Sequence, residues 1–218
     1  MTDIFSVEII QANSFSTTVT TDEDWRDYIV MAKEGETLRI YLDPHHPFTD
    51  FSGGTKNLKA KITMPALYGL HLSGATRGSV SGFKSSHDCR LDVSGTSSLE
   101  INNNIEMGNL EAGISGASQI TGSLKASDAK FEVAGASTLR LKGSATSLTL
   151  NASGASKVDL TDFTIDNAKV NLSGASEATL HIKGKLDCVV SAASSLYFLG
   201  NPTMGNVQVT GASTIKHK

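Results

Sequence analysis

The chain has 218 residues, of which 39% are hydrophobic and only 6% aromatic, with 20 glycines and a formal net charge of −3. The nearly equal numbers of basic and acidic residues, together with the lack of any basic run, argue against a nucleic-acid-binding protein. No apolar stretch reaches the roughly 20 residues that span a membrane. Many small and few large side chains are typical of a thin β-solenoid rather than a wide globular core.

Residues 1–66 carry no repeat and predict an irregular β segment that caps, and is continuous with, the structure formed by residues 67–218. Segments 4–13 and 15–21 alternate as strands do, residues 29–42 predict a hairpin around Glu34 and Gly35, and residues 58–67 lead into the first repeat. Residues 43–57, rich in proline and glycine, predict a loop. An atypical first unit would protect the open strand edge of a repeat structure.

From residue 67 onward the chain repeats one short motif, close to (L/V/I)-S-G-A-S, at intervals of 18 to 21 residues. The copies lie at 72–76, 93–97, 114–118, 133–137, 152–156, 172–176, 190–194 and 209–213. Internal repeats of this period indicate a stacked architecture in which each unit buries its apolar face against its neighbours. Residues 1–218 are therefore expected to form one structural domain.

Alignment of the copies on their central residue shows regular columns. The positions two and four before it are apolar in every copy, and those four and six after it are mostly apolar, with Gly78 and Gly122 as outliers. Polar residues stand between, which is the period-2 pattern of strands with one buried face. We expect two short strands per unit, a corner between them and a variable return loop. The prediction is an all-β, single-stranded, right-handed parallel β-helix of about eight rungs of ~20 residues, with either two or three sheets around the core.

The corner predicts three stacked columns. The first is a turn glycine, found at Gly74, Gly95, Gly116, Gly135, Gly154, Gly174 and Gly211, with Ala192 in the remaining copy. The second is a small residue, mostly alanine, suited to a tight inward bend. The third is a hydroxyl that can pass hydrogen bonds from rung to rung, at Thr76, Ser97, Ser118, Ser137, Ser156, Ser176, Ser194 and Ser213. Because no His or Lys column accompanies these serines, we interpret them as structural rather than nucleophilic.

The two cysteines fall in inward positions five rungs apart, Cys89 and Cys188. That separation is about 24 Å at the strand spacing of a sheet, whereas a disulfide needs Cα atoms within about 7 Å. We predict two free, buried thiols.

Three further groups suggest chemistry, and a structural interpretation is favoured for each. His45 and His46 with Asp43 and Asp50 could bind a metal, but adjacent histidines rarely face one ion, and a solvated loop is expected. Trp25 and Tyr28 could stack on a sugar but are expected to pack over the end of the solenoid. A group of aspartates has no distinctive spacing: Asp159, Asp162 and Asp166. We predict no metal, no cofactor and no catalytic residues.

The serious alternative is a carbohydrate-active β-helix enzyme of the polysaccharide lyase or hydrolase type. Such sites need acidic or basic groups that converge on one face over adjacent rungs. The outward columns instead mix residue types, so a non-catalytic binding module is expected, one that contacts glycan or protein through its sheet faces. Self-association through sheet faces or solenoid ends is an open expectation.

The SGAS units, the segment LYFLGNP (196–202) and the terminal GASTIK (211–216) resemble a bacterial family, the putative auto-transporter adhesin, head GIN domain. The family corner reads SGSG or SGAG, so this chain departs from it with Ser or Thr at the second glycine. The resemblance implies an exported protein of the periplasm, outer membrane or cell surface, with its signal peptide missing from this sequence; a cytoplasmic location is the alternative. It supplies no catalytic residue.

Overall fold

The computed structural model describes residues 5–43 and 58–218. This part of the chain is nearly all β, and its strands stack in parallel as a β-solenoid of about eight turns. The predicted fold class is confirmed. In chain order the strands are β1 (Phe5–Gln11), β2 (Ser16–Thr20), β3 (Ile29–Glu34), β4 (Thr37–Leu42), β5 (Leu58–Met64), β6 (Gly69–Leu72), β7 (Arg77–Ser81), β8 (Cys89–Val93), β9 (Ser98–Glu106), β10 (Leu110–Ile114), β11 (Gln119–Val133), β12 (Thr138–Ala152), β13 (Lys157–Leu172), β14 (Glu177–Val190), β15 (Ser195–Leu199), β16 (Thr203–Val209) and β17 (Thr214–His217), with a short 3-10 helix at Glu23–Tyr28.

The columns of the sequence repeat are the pairing registers of the sheet. Ile114 pairs with Val93 on one side and with Val133 on the other, and all three are two residues before the corner glycine. We call the stretches that enter the corner the pre-corner sheet and those that leave it the post-corner sheet. The pre-corner sheet contains β6, β8, β10, the last parts of β11 to β14, and β16.

The apolar columns form one continuous core along the solenoid axis. In the inner rungs their side chains are 5% exposed or less, whereas Val207 and Val209 of β16 are 38% and 46% exposed. Gly122, which interrupts an apolar column, has φ +136°, and a Cβ there would lie 2.1 Å from the carbonyl oxygen of Ile101. The interruption therefore reflects close backbone contact, for which only glycine has room.

The return segments differ from the prediction. In β11 to β14 they are strand rather than loop, because pairing continues from corner to corner, as between Leu124 and Gly143 or Ala126 and Ala145. Local shifts of register mark the bends. Inward side chains from these stretches, such as Phe163 and Ile182, are fully buried and close the remaining side of the core.

The N-terminal strand lies inside the sheet. β1 pairs in parallel with β5 on one side and with β7 on the other, while β2 pairs antiparallel with the outer side of β5. The predicted strands at 4–13 and 15–21 are confirmed. So is the hairpin, formed by β3 and β4 as a separate two-stranded sheet in which Glu34 pairs with Thr37.

The hairpin and the 3-10 helix form a second, smaller apolar cluster around Phe5, Leu42 and Leu58. Trp25 and Tyr28 pack against this cluster, with their ring centroids 5.8 Å apart. The structure shows this pair packed at the N-terminal end, which is the interpretation that the sequence favoured.

The two cysteines are free and buried, as predicted. Burial away from water disfavours the charged thiolate, so it raises the pKa of Cys89 to about 12 and raises that of Cys188 as well. Both thiols face the core and belong to its packing.

Candidate binding groove

The corner positions adopt a left-handed backbone conformation. φ lies between +70° and +77° at the seven corner glycines and is +64° at Ala192. A Cβ on Gly154 would lie 2.7 Å from the carbonyl oxygen of Gly135 in the preceding rung. The close stacking has a direct cause, since the backbone N–H of Ala155 donates to that same oxygen at 2.8 Å.

The side chains of the two residues after the corner glycine point to opposite sides of the backbone, and the alanine does not point inward as predicted. The alanine column is exposed at Ala117, Ala136 and Ala155, so the prediction of a small inward residue was wrong. The hydroxyl residue is the inward one: it is buried from Thr76 to Ser194 and half-buried at Ser213. Left-handed geometry at the glycine turns the next side chain out and the following one in.

The inward hydroxyls bond to one another and to the corner backbone. The N–H of Ser97 donates to Ser118 Oγ at 3.3 Å, and Ser156 Oγ donates to Ser176 Oγ at 3.3 Å. Ser176 Oγ in turn donates to the carbonyl oxygen of Ser173 at 2.7 Å. These groups lie inside the solenoid, where a substrate on the surface does not reach them.

A long groove follows the outer face of the pre-corner sheet, beside the corner. We call it the axial groove; its volume is about 690 Å³. Two outward columns line it. One stands three residues before the corner centre (His71, Asp92, Gly113, Glu132, Asn151, Asn171, Val189) and the other one residue before it (Ser94, Ser115, Ala134, Ser153, Ser173, Ser191).

A chain of ion pairs forms the ridge along part of this groove. Arg90 contacts Asp92 at 2.8 Å and Glu111 at 3.0 Å, and Lys130 contacts Glu111 at 2.7 Å and Glu132 at 2.9 Å. The hydrogen bond from Lys130 lowers the pKa of Glu111, and the bond to Asp92 raises the pKa of Arg90. Because these groups are exposed, the pairs contribute little to folding stability, but they fix the side chains beside the groove.

Beyond the ridge lies a second depression of about 610 Å³, which the exposed ring of Tyr68 borders at one end. Its polar side chains bond to backbone or neighbours in the next rung: the N–H of Asn109 donates to Asp88 Oδ1 at 3.0 Å, and Ser147 Oγ donates to Asp128. These groups serve to connect successive rungs, which leaves the axial groove as the better candidate for a ligand.

Part of the axial groove offers unoccupied hydrogen-bonding groups. Asn171 Nδ2 donates to Asn151 Oδ1 at 2.9 Å, which leaves the other amide groups of this pair facing the groove. In the described part of the chain the hydroxyls of Ser115, Ser153 and Ser173 donate to no protein acceptor, and all three residues are exposed. Amides and hydroxyls each offer donors and acceptors, so the groove can bind a polar ligand.

The aspartates at 159–166 form no joint site. Asp159 contacts Arg140 at 3.3 Å, and Asp162 contacts Lys142 at 3.1 Å. Partial burial of Asp159 opposes its ionisation, but hydrogen bonds from the side chain and backbone of Thr161 and the charge of Arg140 outweigh it and lower the pKa. Asp159 and Asp162 thus each have their own cation, and Asp166 is exposed.

His45, His46 and Asp50 lie outside the described residues, and of this group only Asp43 is described; its N–H donates to the carbonyl oxygen of Tyr28 at 2.8 Å. Within residues 5–43 and 58–218, no three His, Cys, Asp or Glu side chains come close enough to hold a metal ion. No helix in those ranges is long and apolar enough to cross a membrane.

A model of the family described as putative auto-transporter adhesin, head GIN domain, matches residues 1–202 of the chain. The chain belongs to this family. The resemblance seen in the SGAS units is thereby confirmed, and a family of adhesin type points to a binding protein at the cell surface. Among curated proteins no sequence relative matches.

Crystal structures from two Parabacteroides species share the fold of this head GIN domain protein over its whole length. A putative adhesin from Parabacteroides merdae is 15% identical with a TM-score of 0.89, and a putative adhesin from Parabacteroides distasonis is 14% identical with a TM-score of 0.89; the matches cover 89% and 90% of those chains. A putative lipid binding protein from Parabacteroides distasonis is 18% identical, with a TM-score of 0.84 and 92% of its chain covered. At these identities the likeness is one of fold.

Proposed function

We propose that the chain is a non-catalytic, adhesin-type binding module of the cell surface or periplasm that contacts a glycan or protein through the axial groove. The observation that carries the proposal is the groove itself, whose lining repeats over seven rungs with exposed hydroxyl, amide and carboxylate groups. The family and the two adhesin-like structures support the binding role.

The carboxylates of the groove argue against the enzymatic alternative. Asp92 lies 2.8 Å from Arg90, and Glu132 lies 2.9 Å from Lys130, so each is held beside a cation. A carboxyl group that acts as a general acid needs surroundings that favour its protonated form. Hydrolysis with retention would also need two carboxyl groups about 5 Å apart, whereas these stand two rungs, about 10 Å, apart.

A lipid chain inside the solenoid is not supported by the interior. The enclosed apolar cavity beside Cys89, Leu99 and Met107 has a volume of about 10 Å³, which is about the room that one water molecule needs. We therefore do not extend to this chain the lipid binding named for that similar structure.

An array of glycans, polysaccharides and surface proteins, scored for both retention and cleavage, tests the proposal. The native chain should be retained by at least one ligand without releasing products. Ser153→Trp, which places an indole across the groove, should reduce that retention at least tenfold. Gln119→Trp, at an exposed position of the post-corner sheet, should leave it unchanged.

Release of cleaved product by the native chain would show an enzyme. Retention that Ser153→Trp leaves intact would show that the ligand binds elsewhere. Both variants should melt at the native temperature, since both positions are exposed.

A further inference from the structure

The lining of the axial groove repeats with the rungs, so it offers the same kind of contact many times along one line. Its outward column runs from His71 to Val189 over seven rungs. Six intervals at the strand spacing of about 4.8 Å give a length of about 29 Å. A polymer with a short repeating unit matches such a surface, while a compact ligand would use only a fraction of it.

The charge of the groove separates polymer classes. Among the described residues that line it, there is no lysine or arginine, and the only carboxylates are Asp92 and Glu132, in the second and fourth of the seven rungs. Arg90 and Lys130, beside the groove, already contact those carboxylates and Glu111. Lys169 lies outside the lining, and its charge acts on Asp187. A polyanion would therefore meet two carboxylates and no lysine or arginine within the lining. A polycation would find no counter-charge over the half of the groove that contains Asn151 and Asn171.

The groove lacks the anchors that protein ligands use. Protein interfaces depend on a few large apolar or aromatic side chains packed into pockets. Here Val93, Ile114 and Leu172 point into the core and are at most 1% exposed. Among the described residues of the lining, the outward-facing apolar side chains are the small ones of Ala134 and Val189. The surface they leave is backbone with hydroxyl and amide groups, which matches the hydroxyls of a sugar, because both partners donate and accept.

We propose that the ligand of the axial groove is a linear polysaccharide without charged groups, which lies along the solenoid axis and contacts successive rungs with successive sugar units. This inference rests on the proposed function and specifies its ligand. Each unit adds hydrogen bonds of modest net strength without aromatic stacking, so affinity depends on length. A net hydrogen bond corresponds to a gain of roughly three- to tenfold per added unit, up to a chain of about 29 Å.

Calorimetric titration of the full chain with oligosaccharides of two to eight units tests this inference. The probes are neutral linear glucan, mannan, xylan, galactan and N-acetylglucosamine series, with polygalacturonate and a sulfated glycan as comparators. At least one neutral series should bind with affinity that rises with length and then levels off. Its affinity should change less than twofold between 50 and 500 mM salt, since salt screens only charged contacts.

Asn171→Ala removes amide groups from the sixth of the seven rungs of the groove and should weaken binding of the longest oligosaccharide at least fivefold. Gln119→Ala removes a matched amide from the post-corner sheet and should have no effect. Binding confined to the polyanions, a strong salt dependence, affinity independent of length, or no binding by any neutral series would each overturn the inference. The array with Ser153→Trp separates two kinds of failure. If another ligand is retained on the array and Ser153→Trp abolishes that retention, the proposed function stands and only the ligand class is wrong. If Ser153→Trp leaves all retention on the array intact, the proposed function fails as well.

Discussion

At the scale of single residues, the corner shows what the solenoid requires of its backbone. Ala192 replaces the glycine found in the other seven copies, yet its φ of +64° is nearly the same as theirs. The rung-to-rung hydrogen bonds continue through it: the N–H of Ala193 donates to Gly174 O at 2.8 Å, and the N–H of Ala212 donates to Ala192 O at 2.7 Å. Stacking with neighbours therefore holds an alanine in a conformation that costs it about 1–2 kcal/mol.

Exchanges at two corner positions should have opposite effects on stability. Ala192→Gly should raise the free energy of unfolding by about 0.5–1 kcal/mol, because relief of the left-handed strain exceeds the added entropy of the unfolded chain. Gly154→Ala should lower it by roughly 2–3 kcal/mol, because it adds the same strain and places a Cβ 2.7 Å from a carbonyl oxygen. Urea denaturation of both variants measures the effects; a loss of stability in Ala192→Gly would contradict this account.

At the scale of elements, β1 is the strand whose position matters most at the N-terminal end. Ile9 pairs with Ile62 of β5 and Val80 of β7 and is 2% exposed. Ile9→Ala should lower the free energy of unfolding by about 3 kcal/mol and speed amide hydrogen exchange in both neighbouring strands. Ile10→Ala, in the same strand but half-buried on the opposite face, should cost less than half as much. Equal losses would mean that β1 is not inserted between its neighbours.

The alternation of residues 4–13 predicts a strand but not its place in the sheet. The rungs reveal their register because equivalent residues recur, as Ile114 does between Val93 and Val133. β1 has no such counterpart, and its partners begin about fifty residues later, so local pattern carries no information on the pairing. The return segments were not predicted as strands for a related reason. Bends near Gly122 and Gly143 shift the pairing register. These shifts break the column alignment of the sequence repeat, although the backbone stays extended.

At the scale of the whole molecule, the candidate site follows from the stacking of many unremarkable positions. The outward column of Asp92, Glu132 and Asn151 was visible in the sequence, but its mixed residue types gave no sign of a shared role. The groove exists because the neighbouring column is small in every inner rung, from Ser94 to Ser191. That regular serine column was the available signal. Its meaning depends on which face of the sheet lies beside the corner, which only the folded structure shows.

The stacking also determines how stability is distributed along the axis. Each inner rung contacts mainly its two neighbours, so a side chain is fully buried only where both are present. Val190 and Val209 occupy equivalent positions in adjacent rungs and pair with each other, yet they are 0% and 46% exposed. Val190→Ala should lower the free energy of unfolding by about 2 kcal/mol, since two buried methyl groups are lost. Val209→Ala should cost about 0.5 kcal/mol or less. Urea denaturation compares the two directly, and equal costs would show that the rung formed by β16 is covered in solution, which would point to self-association at this end.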